Sequence, residues 1–215
     1  SYYSNLEEQK EVFEIRKAGL NILMSMKGDK KPVAFIEDCA VSLDHLADYT
    51  AQLKEIFKKY NTSGMFYAHA SVGTLHIRPV LNMKSDEDIK NMRSISEESF
   101  EIVKNYKGSH SGEHGDGIVR SEFHEMMFGK KIVNAFEEIK DTFDSKNLLN
   151  PGKIVRPLKS NDRSLMRYKP GYQTQNISTH YDWSNWGQFT DAVEMCNNNG
   201  ACRKLDSGVM CPSYR

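Results

Sequence analysis

Residues 65–80 read MFYAHASVGTLHIRPV. The runs MFYAHA and LHIRPV are rich in aromatic and β-branched residues, and SVGT between them carries a glycine suited to a tight turn. Strand periodicity of two places His76 and Arg78 on one face of the second run, with Leu75 and Ile77 on the other. In the first run His69 shares its face with Tyr67. A turn through Gly73 would bring the two imidazoles together. Two neutral imidazoles and one carboxylate suit a divalent cation. A histidine near a strand end is, however, most often a surface or hydrogen-bonded residue.

The missing carboxylate is sought in residues 111–117, SGEHGDG. Glu113 is the natural third ligand beside His69 and His76. His114, adjacent to it, needs no metal bond and suits a general base, since an imidazole titrates near neutrality. Two blander readings stay open: an exposed turn, or a nest of backbone N–H groups holding an anion. His45 and His124 fall in helical stretches, where surface roles are expected, and Cys39 reads as a small core residue.

Outward from this centre, helical spacing of apolar residues predicts helices over 6–26, after Ser42, after Ser85 and over the stretch carrying Ile132, Phe136, Ile139 and Phe143. PVAFIED at 32–38 reads as a further strand. The mixture gives an α+β class: a split αβ, ferredoxin-like domain with helices against a mainly antiparallel sheet over residues 1–158, followed by an extended tail. Residues 159–192 form an aromatic-rich connector, and 193–215 carry Cys196, Cys202 and Cys211 in C-x5-C-x8-C-P spacing. Thiolates so crowded suggest metal or cluster ligation rather than a disulfide scaffold. The chain stops four residues after the last cysteine, which predicts a fragment.

Hydrophobic residues make up 39% of the 215, enough for a packed core. Lys+Arg and Asp+Glu are both 29, so bulk charge gives no support to nucleic-acid binding. The absence of a signal pattern or a long apolar run makes the cytoplasm the expected compartment, with a peripheral membrane association through an electron-transfer partner allowed.

Five phrases in order, IRKAG (15–19), FIEDCAVSLDHL (35–46), FYAHASVGTLHIRP (66–79), SGEHGDGIVRSEF (111–123) and NPGKIV (150–155), resemble the C-terminal part of the FAD-linked oxidases, which include D-lactate, glycolate and D-2-hydroxyglutarate dehydrogenases. The tail resembles the junction to the iron–sulfur half of a larger fused oxidoreductase. The resemblance implies oxidation of a small D-2-hydroxy acid to a 2-oxo acid, with electrons passing from FAD to a 4Fe-4S cluster and a downstream acceptor. It implies His69, His76 and Glu113 as ligands of a zinc-like metal, His114 as catalytic base and Arg16 as the holder of the substrate carboxylate. Gly112, Gly115, Gly117 and Asn150 fall to the flavin side, and Cys196, Cys202 and Cys211 to an incomplete cluster set. Most of the FAD would be held by a missing N-terminal domain, so the fragment by itself is expected to be inactive. Self-association is allowed.

The chain also departs from these relatives. Glu37 and Asp38 stand where some 2-hydroxyglutarate enzymes carry a lysine, and a negative edge there would disfavour a substrate with two carboxylates unless Lys30, Lys31 or Arg78 compensates. Arg78 and Arg120 are read as substrate contacts or neutralisers of nearby acids, and Asp116 as a support for His114 or for the glycine loop. The alternatives in other classes are a metal-dependent hydrolase and a non-catalytic module that docks a flavoprotein.

Overall fold

The structure is a computed structural model and describes residues 3–196. It divides into two compact units, residues 29–170 and residues 1–28 with 171–215. In the larger unit β4 (Thr74–Asn82) is the shared strand, and β1 (Lys30–Pro32), β2 (Cys39–Ala40) and β3 (Gly64–His69) all pair with it antiparallel. Helices α2 (Leu46–Lys59) and α3 (Asp86–Asn105) supply the opposing layer, and α4 (Gly117–Arg120), α5 (His124–Phe128) and α6 (Lys130–Phe143) follow. The class is α+β, as the alternation of patterns predicts.

The local causes are ordinary ones. Ser85 accepts a hydrogen bond from the Asp88 N–H and opens α3, and three acidic residues in the first turn favour the helix dipole. Tyr49, Leu53, Ile56 and Phe57 form the buried stripe of α2. Along β4, Leu75 and Ile77 enter the core with Ile36, Tyr49, Leu53 and Phe100. His76 and Arg78 therefore face the other way, and the register sets Tyr67 directly opposite His76 and His69 opposite Thr74. One face of the β3–β4 pair thus carries the core, and its reverse carries the polar site.

The strand expected over 32–38 does not form. Val33 N–H still donates to the Pro79 carbonyl and Asp38 N–H to that of Leu75. Between the paired residues Pro32–Val80 and Cys39–Leu75, residues 33–38 lie opposite residues 76–79, and the two extra residues force a bulge. The chain bends out and returns through Asp38 at φ +77°, and this detour places Glu37 and Asp38 behind the site.

In the smaller unit, Asn5 caps α1 (Leu6–Met24) by accepting from Glu7 N–H, and α7 (Phe189–Glu194) lies in the segment read as an aromatic connector. Trp183 packs edge-on to Phe189, and Lys27 sits over the Trp186 ring while donating to the Asn185 carbonyl. Residues 159–170, from the same stretch, belong to the larger unit, where Ser160 N–H binds Glu122 and Arg163 binds Asp86 and the carbonyls of Lys84, Tyr168 and Lys169.

Gly73, at φ +71°, makes the β3–β4 turn possible, because a Cβ there would sit 1.9 Å from the Val41 carbonyl oxygen. Gly73→Ala is expected to cost about 2–4 kcal/mol. A urea melt checks this, and an unchanged midpoint would contradict the turn as described.

Candidate metal and active site

The reverse face of the β3–β4 pair gathers His69, His76 and Tyr67, and the loop between α3 and α4 lays Glu113 and His114 over them. His76 Nε2 lies 3.0 Å and His69 Nε2 3.5 Å from the same oxygen, Oε1 of Glu113. Ligands at ~2.0–2.1 Å from a common ion are separated by roughly 3.0–3.4 Å, so these spacings fit a shared divalent cation. The ligand atoms of all three residues lie within 4.8 Å of one another. The expected trio is therefore brought together, on strands rather than on a mobile loop for two of its three members.

His76 is buried, and burial lowers its pKa below the usual imidazole value, which favours the neutral, ligating form. Its ring is stacked between Tyr67, at 4.6 Å, and His114, at 5.1 Å between centroids. Its Nδ1 lies 3.5 Å from Glu37 Oε1, so a carboxylate backs the imidazole on the side away from Glu113. Glu37 is held in turn by Arg78, at 2.8 and 3.0 Å, and by the Tyr67 hydroxyl at 3.2 Å. His114 is half-exposed, with Nε2 3.6 Å from Glu113 Oε1. That combination leaves one accessible imidazole beside two that are committed.

Asp38 fixes the loop. Its buried carboxylate accepts from Glu113 N–H at 2.9 Å and His114 N–H at 2.7 Å, and from the Ser111 hydroxyl at 3.3 Å, while its own carbonyl accepts from Gly112 N–H at 2.8 Å. The nest of N–H groups foreseen in SGEHGDG exists, and the anion it holds is an internal carboxylate. Arg120 donates to the carbonyls of Glu37 and Gly115 and approaches Asp38 to 3.6 Å.

Several expectations need correcting. Glu37 and Asp38 are buried and consumed by Arg78, Tyr67 and the loop amides, so they present no negative edge to a substrate. Of the two readings of Arg78 and Arg120, the neutralising one holds: Arg78 pairs with Glu37, and Arg120 lies 3.6 Å from Asp38. Asp116 supports neither His114 nor the glycines directly. It pairs with His124, Nε2 to Oδ2 at 3.0 Å, and with His110, Nε2 to Oδ1 at 3.4 Å, and His124 is buried rather than at the surface. Sequence reasoning passed over His110 and read Asp38 only as part of a negative edge. The signal available for Asp38 was its place in FIEDC, between apolar residues and a buried cysteine.

The other candidates are placed as follows. Cys39 is buried in the core, its thiol pushed up to about 12 by burial. Gly112 packs on Asp38, whereas Gly115 and Gly117, both at positive φ, have open space where a side chain would stand. Gly117 and Asn150 line one groove of about 520 Å³ together with Phe136, Ile139, Lys153 and Ile154. Arg16 is exposed on α1, in the smaller unit. Cys196 follows α7 and is exposed, and Cys202 and Cys211 lie outside the described residues.

The model of the FAD linked oxidases, C-terminal domain, matches residues 2–154. The chain belongs to this family. Among curated relatives it is 33% identical over 213 residues to the D-2-hydroxyglutarate dehydrogenase of Haemophilus influenzae, which covers 99% of this chain and 20% of the relative. It is 35% identical over 205 residues to the protein of the same name from Pseudomonas putida, 95% of this chain and 20% of that one. It is 29% identical over 148 residues to glycolate oxidase subunit GlcD of Bacillus subtilis, 69% of this chain and 31% of that subunit. The chain thus spans about a fifth of the length of the first two. Among the described residues no helix of this FAD-linked oxidase domain is long and apolar enough to cross a membrane.

Burial lowers the His110 pKa to about 4. In the unfolded chain the same group titrates near ~6.5, so the unfolded state binds more protons between those values and stability falls as the pH falls through that window. For the metal-free chain the His110 share of this loss is on the order of 3 kcal/mol by pH 4. Urea melts at several pH values check it, with His110→Phe flattening the dependence. An equally steep dependence in that variant would remove His110 as the cause.

Proposed function

We propose that this chain is the substrate-side domain of a flavin-dependent dehydrogenase that oxidises a D-2-hydroxy acid to the 2-oxo acid. The observation that carries the reading is the convergence of His69 and His76 on one oxygen of Glu113, with the accessible His114 ring alongside. When bound, a zinc-like ion at the three ligands supplies Lewis acidity toward the substrate oxygen, and FAD supplies the two-electron acceptor.

The chain's own part is placement and proton transfer. His69, His76 and Glu113 hold the ion, and Glu37 behind His76 keeps that ring oriented. His114 takes the substrate hydroxyl proton at Nε2, the nitrogen that faces Glu113. Its main chain is held by Asp38, so proton transfer needs only the ring to adjust. Arg16, exposed on α1, is assigned to the substrate carboxylate, for which a guanidinium fork is well shaped. Gly117 and Asn150, sharing the open groove, are assigned to the face that meets the flavin-binding part of the larger protein. The short share of each relative that this chain covers supports placing most of the FAD site elsewhere in such a protein.

Two relatives named D-2-hydroxyglutarate dehydrogenase, similar over nearly the whole chain, make D-2-hydroxyglutarate the first substrate to try. Burial of Glu37 and Asp38 removes the charge objection to it. Cys196, Cys202 and Cys211 are proposed as part of the thiolate set for a 4Fe-4S cluster that takes electrons onward. A His–His–Glu set also suits activation of water for hydrolysis, but family membership favours oxidation.

The test is stopped-flow reduction of FAD by D-2-hydroxyglutarate and D-lactate in the full-length flavoprotein. His114→Gln is expected to slow reduction by roughly 10²–10⁴-fold with metal content unchanged. Glu113→Gln is expected to lose metal and activity together. A His114→Gln enzyme that reduces FAD at the parent rate would overturn the assignment.

A further inference from the structure

The geometry points to a second divalent-cation site in this chain, formed by His110, Asp116 and His124 and separate from the His69–His76–Glu113 trio. Its ligand atoms lie within 4.8 Å of one another, and the two measured separations, 3.4 Å from His110 Nε2 to Asp116 Oδ1 and 3.0 Å from His124 Nε2 to Asp116 Oδ2, match edges of roughly 3.0–3.4 Å expected around an ion at ~2.0–2.1 Å. The site uses none of the residues assigned to the first, and it stands whether or not that first assignment holds.

The decisive observation is a set of buried polar atoms without a well-formed hydrogen bond. His110 and His124 are 1% and 2% exposed, and both ring nitrogens of His110, His124 Nε2 and Asp116 Oδ1 are buried without one, although His124 Nε2 stands 3.0 Å from Asp116 Oδ2. Leaving such atoms unmatched in a buried place is costly. His124 Nδ1 lies 3.2 Å from the Ile154 carbonyl, an oxygen that can only accept, so Nδ1 carries the proton and Nε2 turns its lone pair toward Asp116. A lone pair aimed at a carboxylate oxygen is repulsive unless a proton or a cation lies between. A cation answers for His110 Nε2 as well, which a second proton on His124 does not. An imidazole steadied from behind by a carbonyl is also the usual arrangement of a metal-bound histidine.

The surroundings suit a closed ion with one open position. Phe100, Phe128 and Phe136 pack around the two rings, and the Asp116 side chain, 22% exposed, is the edge that solvent reaches. Two imidazoles and one carboxylate in an apolar shell select zinc over magnesium or calcium. The ion would tie three segments: the middle of the α3–α4 connection at His110, the N-cap of α4 at Asp116, and α5 at His124. Glu113 and His114 lie between the first two anchors, so the second ion would brace the loop that carries the proposed base.

The experiment uses the chain with Cys196, Cys202 and Cys211 changed to serine, so that tail thiolates bind no metal, stripped with EDTA, desalted, and titrated with Zn²⁺ by calorimetry and with Co²⁺ by visible absorption. A His69→Gln/Glu113→Gln chain, further changed only at half-exposed ligands of the first site, is expected to keep one equivalent. Adding His110→Phe and Asp116→Asn is expected to remove it. Because the buried changes could unfold the chain, the ring nitrogens of His110 and His124 are also followed by ¹⁵N NMR in the His69→Gln/Glu113→Gln chain. Both Nε2 signals should shift on adding Zn²⁺. The inference is overturned if that chain binds no Zn²⁺, if the bound equivalent survives His110→Phe/Asp116→Asn, or if His124 proves doubly protonated and its signals ignore Zn²⁺. Loss of nothing on His69→Gln/Glu113→Gln, with loss on His110→Phe/Asp116→Asn, would sink the first site and sustain the second.

Discussion

The Asp38 carboxylate is the constraint on which the site depends. It is fully buried, and it accepts the main-chain N–H groups of Glu113 and His114, residues 75 and 76 positions further along the chain. A buried carboxylate without partners would be costly, so it holds the loop as firmly as the loop satisfies it. Asp38 reaches this position only because the chain bulges between its bonds to Pro79 and Leu75 and turns at positive φ. An irregularity that spoils a strand is therefore what joins the sheet to the loop that carries Glu113 and His114.

The sheet divides its labour by face. Leu75 and Ile77 anchor β4 in the core, and the strand period then obliges His76 and Arg78 to point into the site. Arg78 neutralises Glu37, Glu37 backs His76, and His76 meets Glu113. Each acid is matched by a cation, an amide or an imidazole, so the site gathers three carboxylates without mutual repulsion.

The strands β3 and β4, their turn and the approach of the His69 and His76 rings could be read from the sequence, because a period of two assigns faces without any tertiary information. The helices were legible for the same reason, and Ser85 did mark a helix start. The Glu37–Asp38 pair was misread because two adjacent acids look exposed, and their partners, Arg78 and the amides of residues 113 and 114, are remote in sequence. His124 was misread because α5 is a five-residue helix set off from α6 by Gly129, too short for periodicity to show which side is buried. The His110–Asp116–His124 cluster depends on such a fold-back and left no spacing to recognise.

The most direct measurement is Zn²⁺ affinity with and without the Asp38 clamp, taken by competition with a chromophoric chelator. Both chains carry His110→Phe/Asp116→Asn and Cys196→Ser/Cys202→Ser/Cys211→Ser, so that the first site alone reports. If the clamp positions Glu113, Asp38→Asn, which puts an N–H₂ group where the loop amides need an acceptor, should weaken binding roughly 10–100-fold with far-UV circular dichroism unchanged. Affinity equal to that of the Asp38 chain would contradict the account.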